Sequence, residues 1–258
     1  MGTGAITGYF DVAQIVLYVF WLFFAGLIYW LHREDKREGY PLESDRSSSV
    51  MVQGFPAMPG PKTFRLRDGR VVKAPDLQRA ELPPRGVAVA RHLGSPWAPE
   101  GDPMQAEIGP GSYALRADIV DTTVEGDARI VPLRVAGAAG FAVSGHDPDP
   151  RGLNVVGADG ASAGTVCDVW VDRAEVLFRY LEVEVTVGRD KRRVLLPVNF
   201  ARISARHVKV QSILAAQFQQ VPTTRDPDAV TLLEEERIMA YYGGGTLYAT
   251  PARQEPLL

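Results

Sequence analysis

The 258-residue chain sets 28 Lys and Arg against 31 Asp and Glu, is 46% hydrophobic and carries one cysteine. A formal charge of -3 argues against nucleic acid as a main partner, and the lone Cys167 excludes an intramolecular disulfide, a CxxC metal site and a CxxCH haem attachment. The mean hydropathy of -0.07 excludes a polytopic membrane protein. That average hides one very uneven segment.

From Val12 to Leu31 the chain runs 20 residues without a charge, and Gln14 is the strongly polar exception. At helical rise this spans about 30 Å, the thickness of a bilayer's hydrocarbon core. Apolar residues fall on every face, and Tyr9, Phe10, Tyr29 and Trp30 stand at the two ends, where amphipathic rings prefer the interface. The segment reads as a single transmembrane helix rather than a buried core helix. Residues 1–11 hold no Lys or Arg, whereas Arg33, Lys36 and Arg37 follow the helix. Basic flanks stay on the cytoplasmic side, so residues 1–11 are expected to face outward and residues 33–258 the cytoplasm. The missing basic n-region and the long apolar run speak against a cleaved signal peptide. Nine of the 23 aromatic residues lie between Tyr9 and Trp30, which suggests packing against a protein or pigment-like partner.

Residues 41–110 contain eleven of the 19 prolines, a density that blocks helices and central strands. Residues 32–110 are therefore predicted to be extended and irregular, with a mobile stretch at Ser44–Ser49 and one hairpin from Phe64 to Val72 turning at Asp68-Gly69. Residues 111–258 form the main domain. Val155-Val156, Ala163–Val171, Leu181–Val187, Arg193–Leu196, Arg202–Ser204 and His207–Val210 read as short strands. In Leu181–Val187, apolar residues alternate strictly with Glu182, Glu184 and Thr186. Close spacing of short strands predicts a small antiparallel barrel or sandwich. Two short helices are expected after it, Ser212–Phe218 and Thr231–Tyr242, the latter with a Thr231–Glu234 capping box and Gly243 as its stop.

The motifs GxSxG, HExxH and GxxxxGK[ST] are absent, and His32, His92, His146 and His207 are scattered. No catalytic, metal or phosphate site is expected. What remains is Asp172-Arg-Ala-Glu175-Val-Leu-Phe-Arg179, two acids and an arginine after an apolar strand. On residues alone this is either a solvated turn with a weak ion pair or a proton-handling group, and the second needs a buried neighbour to perturb it.

Several blocks in order carry a resemblance: Phe10-Asp11, Phe20-Trp21, Ala25–Tyr29, Arg37–Glu43, Pro61–Phe64, Gly101–Met104, Gly109-Pro110, Val169–Asp172, Phe178–Glu184, Val230–Glu235, Gly244-Gly245 and Tyr248-Ala249. The chain resembles the H subunit of purple-bacterial photosynthetic reaction centres, over nearly its whole length. The resemblance implies a transmembrane helix joined to a PRC-type β-barrel in the cytoplasm of a bacterium, anchored in its inner, intracytoplasmic photosynthetic membrane with the N-terminus periplasmic. It implies a non-enzymatic, non-pigmented subunit that caps the cytoplasmic face of the L and M subunits, which hold bacteriochlorophylls, bacteriopheophytins, quinones and a non-haem iron; this chain is expected to bind none of them directly. Membrane lipids and a light-harvesting antenna complex are further candidate partners. Carried over by residue, Glu175 matches a glutamate near the secondary quinone, and Asp172 and Arg179 match its neighbouring acid and arginine; the resemblance implies that the subunit shields the quinone region and that these three residues belong to the proton relay to the secondary quinone. Ala174 stands where the family pattern has Pro. The surface histidines expected near Glu125-Gly-Asp-Ala-Arg129 are missing, so either Glu125 and Asp127 take in protons or protons enter elsewhere. A membrane-tethered PRC-barrel adaptor with a different partner is the rival reading; a membrane-anchored hydrolase lacks a nucleophile or metal constellation.

Overall fold

The computed structural model describes residue 4 and residues 11–44, 47–67, 69–76, 85–92 and 95–254. It divides into two compact units, Met1–Pro83 with Val89–Pro96, and Pro84–Ala88 with Trp97–Leu258.

The first unit begins with helix α1, Val12–Asp35, whose start is capped by Asp11 accepting from the Gln14 N–H at 2.8 Å. No residue of α1 is buried, and the helix is long and apolar enough to cross a membrane. It runs one turn beyond Leu31, because His32–Asp35 carries no helix breaker and Glu34 pairs with Arg37 and Lys62. Tyr9 and Phe10 lie outside the described residues.

Among the described residues of 41–110 no α-helix forms, but one short ribbon stands where irregular chain was expected, β1 (Leu42–Ser44) with β2 (Ser47–Val52), beside a second formed by β3 (Lys62–Arg65) with β4 (Val71–Ala74). Ser44–Ser49, read from sequence as mobile, thus contributes to a strand pair, with Asp45 and Arg46 outside the described residues. The expected hairpin is present, Phe64 opposite Val72, with Gly69 at φ +83° in its turn; Asp68 lies outside the described residues. Lys36 and Arg37, predicted only as topology signals, also act as staples. Lys36 is buried and its Nζ donates to the Gln53 and Pro56 carbonyls, each at 2.6 Å. Arg37 donates to the Gly60 and Ala74 carbonyls at 2.6 and 3.0 Å. Side-chain cations thereby satisfy carbonyls that a proline-rich chain leaves without N–H partners.

In the second unit β5 (Gly86–Ala88) pairs with β6 (Trp97–Pro99). The main sheet contains β7 (Ile130–Pro132), β8 (Asn154–Val156), β9 (Ser162–Asp172), β10 (Leu177–Val187), β11 (Asp190–Pro197), β12 (Ala201–Ile203) and β13 (His207–Val210). Its path is β11-β10-β9-β8-β13-β12, with β7 also on β9. The two end strands of that path, β11 and β12, are joined by only Val198–Phe200, so the sheet must curl to bring its ends together. All pairings in it are antiparallel except β13 with β8, a parallel pair within the predicted antiparallel pattern. The predicted alternation delivers Leu181, Val183 and Val185 to the core, with Val169, Leu196 and Val208 from neighbouring strands. Each such side chain contributes about 1.5–3 kcal/mol when buried.

Helix α3, Leu232–Tyr248, covers the core with Ile238 and Tyr242, and its Thr231–Glu234 capping box forms as expected. Gly243 does not stop it. The three glycines are there for close packing: a Cβ on Gly243 would meet the Pro110 carbonyl oxygen at 2.8 Å, and one on Gly245 would meet Ile213 at 2.3 Å and the Ser212 carbonyl at 2.6 Å. Glycine therefore costs helix propensity here and gains contact. The other expected helix is a 3₁₀ segment, Ala215–Gln220, rather than Ser212–Phe218. A four-residue helix, α2 (Leu133–Ala136), follows β7.

Candidate functional site

The turn from β9 to β10 gathers carboxylates. Asp172 ends β9 and pairs in register with Ile130, the first residue of β7. Arg129, one residue earlier, is therefore set beside Asp172. Its Nε lies 3.0 Å from both Asp172 carboxylate oxygens and its Nη2 2.8 Å from Oδ2. The same guanidinium donates to Glu175 at 2.7 Å and to Asp121 at 3.3 Å. One arginine ties three acids together.

The two acids of the turn sit in different surroundings. Asp172 is fully buried, whereas the Glu175 side chain is 52% exposed. Asp172 Oδ1 also accepts from the Ala174 and Glu175 N–H groups at 3.0 and 3.1 Å. Burial pushes the Asp172 carboxyl up, but the Arg129 hydrogen bonds, the Glu175 N–H, the Arg129 charge and the Ala174 N–H together outweigh it and hold the carboxyl below its usual range. Glu175 accepts from Arg129 through Oε1. Val176, the last residue of the turn, has φ +55°, unusual for a β-branched side chain and costly by about 1–3 kcal/mol. Its N–H donates to the Asp172 carbonyl at 2.8 Å, so the Asp172 residue holds the turn at three N–H groups. That constraint replaces the one Ala174 lacks in place of Pro.

Glu125 and Asp127 lie at the exposed tip of a small hairpin in which Thr122 bridges Ala128, the Thr123 N–H donates to the Asp127 carbonyl at 2.8 Å, and Gly126 adopts φ +97°. Asp127 reaches the Asp172 turn through Arg173, at 3.9 Å from its Nη1; Arg173 also donates to the Ala128 carbonyl.

Arg179 is not part of this cluster, contrary to the sequence expectation. A register irregularity between Phe178 and Tyr180 interrupts the β9–β10 pairing, and Arg179 lines a separate cleft of about 600 Å³ with Arg116, Tyr180, Glu235 and Met239. There the Tyr180 hydroxyl donates to Glu235 at 2.7 Å, and burial raises the Glu235 carboxyl above its usual range. The arginine that holds Asp172 and Glu175 is Arg129, and the third acid is Asp121. Sequence reasoning gave neither a role. The available signal was Arg129 closing the polar block 125–129 immediately before the apolar Ile130-Val131.

A second cluster lies farther along the same strand pair. Glu182 and Asp168 are direct cross-strand partners and both are buried. Opposed like charges need a cation between them. Arg134 supplies it, its Nη1 at 2.6 Å from Glu182 and 3.2 Å from Asp168. Arg193 and the Trp170 indole N–H complete the shell of Glu182 at 3.0 and 2.9 Å. Among the described residues no group of three or more His, Cys, Asp or Glu is arranged to hold a metal ion.

Residues 4–135, just over half of the chain, match the family model for the photosynthetic reaction centre H-chain N-terminal region. Residues 145–217 match the PRC-barrel domain, which spans the curled sheet from β8 to β13.

Proposed function

The chain belongs to the photosynthetic reaction-centre H-chain family, and from that premise we propose that it caps the cytoplasmic face of the L and M subunits, shields their quinones from bulk water and passes protons to the secondary quinone through Glu175. Membership alone makes it a membrane-anchored subunit that associates with other reaction-centre subunits, in a complex whose pigments sit on its partners. In the proposed topology α1 crosses the membrane once, with its N-terminus periplasmic and the PRC-barrel domain cytoplasmic.

The observation that carries the proton role is the contrast between Asp172 and Glu175 on one guanidinium. A quinone reduced by two electrons takes up two protons, and a relay must both gain and lose a proton under working conditions. Asp172, buried and held low, keeps its charge; it positions Arg129 and the turn rather than carrying protons. Glu175 has one oxygen on Arg129, and its other oxygen has no partner among the described residues. That oxygen is available to water on one side and to a neighbouring subunit on the other. Glu125 and Asp127, both exposed and the second tied to the same turn through Arg173, serve as collecting groups at the water surface. Arg179 has no part in this relay.

Glu175→Gln tests the reading, because it preserves size and removes the titratable proton. In the assembled complex, transfer of the second electron to the secondary quinone should slow by about 10²–10⁴-fold, less where water bypasses the residue. Primary charge separation should be unchanged. Second-electron kinetics matching wild type across the neutral pH range would overturn it.

A further inference from the structure

Strands β12 and β13 pair Arg202 directly opposite Lys209. Cross-strand partners project to the same face, so two cations stand side by side on an exposed surface, an arrangement that is destabilising unless an anion joins them. Neither has an ion-pair partner among the described residues. A third cation arrives from the chain's end: Arg253 Nη1 donates to the Ser212 and Gly245 carbonyls at 2.7 and 2.6 Å, and its Nη2 donates to the Gln211 carbonyl at 2.9 Å. Those acceptors are neutral, and Arg253 has no ion-pair partner among the described residues.

The three cations line one cleft of about 510 Å³ with Asn199, Gln211, Ser212 and Thr246, and among the described residues no acid contributes to its wall. In a chain whose formal charge is -3, a lining of three cations without a carboxylate runs against composition. Ser212 adds an independent observation. It is 5% exposed, and its hydroxyl has no hydrogen-bond partner among the described residues. Such hydroxyls are uncommon, Thr123 and Tyr242 carrying the others among the described residues, and Ser212 is the one beside the three cations.

We infer that this cleft binds a phosphate group carried by a small molecule or a lipid headgroup. A carboxylate brings one charge, whereas a phosphate brings up to two and three acceptor oxygens, which suits three clustered cations better. The cleft also has the volume of a small-molecule site, larger than a bare anion fills. The site is separate from the Arg129 cluster and takes no part in the proposed proton route.

Titration calorimetry on the full chain in non-ionic detergent tests it in two arms, one with inorganic pyrophosphate and one with phosphatidylglycerol in mixed micelles. Saturable binding in the first arm assigns the site to a soluble phosphate compound, and binding in the second alone assigns it to a headgroup. In either case Arg202→Ala with Lys209→Ala should weaken binding at least about tenfold, as expected for lost charge-assisted contacts. Arg206→Ala removes an exposed cation outside the lining and should leave affinity unchanged. No saturable binding in either arm overturns the inference, as does an equal loss in Arg206→Ala. It is also overturned if the double variant binds no phosphate differently from wild type but loses recovery with its partner subunits, since the cations would then meet an acidic protein surface.

Discussion

Strands β9 and β10 carry two acid–arginine clusters built from the same residue types. At one, Glu182 and Asp168 are both buried and share Arg134 with help from Arg193 and Trp170. At the other, Asp172 is buried while Glu175, on the same Arg129, is half exposed. The first cluster is closed around Glu182: its two oxygens receive three donors, and neither oxygen is left to exchange protons with water. The second is closed at Asp172 and open at Glu175. Composition does not separate a structural ion network from a proton-handling one; the accessibility of the last carboxylate does.

The closed cluster should show the larger stability effect. Arg134→Ala leaves Glu182 and Asp168 facing one another with less compensation, and breaking a buried pair typically costs about 3–5 kcal/mol. Arg193 retains one contact to Glu182, and Arg134 is itself partly exposed, so the lower end of that range is expected. Chemical denaturation of the full chain in detergent, followed by far-ultraviolet circular dichroism, measures it. A loss below about 1 kcal/mol, the scale of a surface pair, would erase the distinction between the clusters.

How much of this was legible in the sequence follows from which interactions are local. The alternation of Leu181–Val187 and the box from Thr231 to Glu234 depend on neighbours a few residues apart, and both were readable. The same alternation marks Glu182 only as lying on the face opposite the core valines. Its burial depends on Arg134, 48 residues away, and on a β7–β9 pairing that no short-range pattern encodes. Arg129 escaped for the same reason, being 43 residues from Asp172. Gly243–Gly245 misled because glycine has two opposite uses, ending a helix or admitting a neighbour, and only the positions of Pro110, Gly111 and Ile213 decide between them. Arg179 was grouped with the two acids by short spacing and by the family resemblance, and a strand irregularity sets it in another cleft. Two acids of the site, Asp172 and Glu175, could be named from sequence; the third, Asp121, and the cation organising them could not.

Asp172→Asn falls between the two clusters. Asparagine keeps an acceptor for the Ala174 and Glu175 N–H groups but loses the charge facing Arg129, a change of about 1–3 kcal/mol for a charged hydrogen bond. Its pH dependence gives a second handle. The folded carboxyl is held below its unfolded value, so its contribution is complete above about pH 4 and is lost as pH falls through the folded value. Thermal midpoints of wild type and variant should differ by a constant amount near neutrality and converge on acidification below about pH 4. A difference that instead grows toward low pH would mean that Asp172 is neutral in the folded protein, and would return it to the list of relay groups.

The smallest stability change is expected at Glu175, and that smallness is what makes the residue useful as a probe. Its side chain is half exposed, holds Arg129 through a single oxygen, and leaves Asp172 as the main anchor of that guanidinium. Glu175→Gln keeps a neutral acceptor for Arg129, so unfolding free energy should shift by less than about 1 kcal/mol. Asp172 would be unaffected as the holder of the turn, because its three N–H contacts come from the backbone of residues 174, 175 and 176. Denaturation curves of Glu175→Gln and Asp172→Asn, run side by side, check the order. If Glu175→Gln is the more damaging of the two, the turn rests on Glu175 rather than Asp172, and any slowing of quinone chemistry in that variant would reflect a disturbed turn instead of a missing proton. If it is nearly silent in stability and slow in second-electron transfer, the defect belongs to the proton, and the open end of the Arg129 cluster differs in role from the closed one around Arg134.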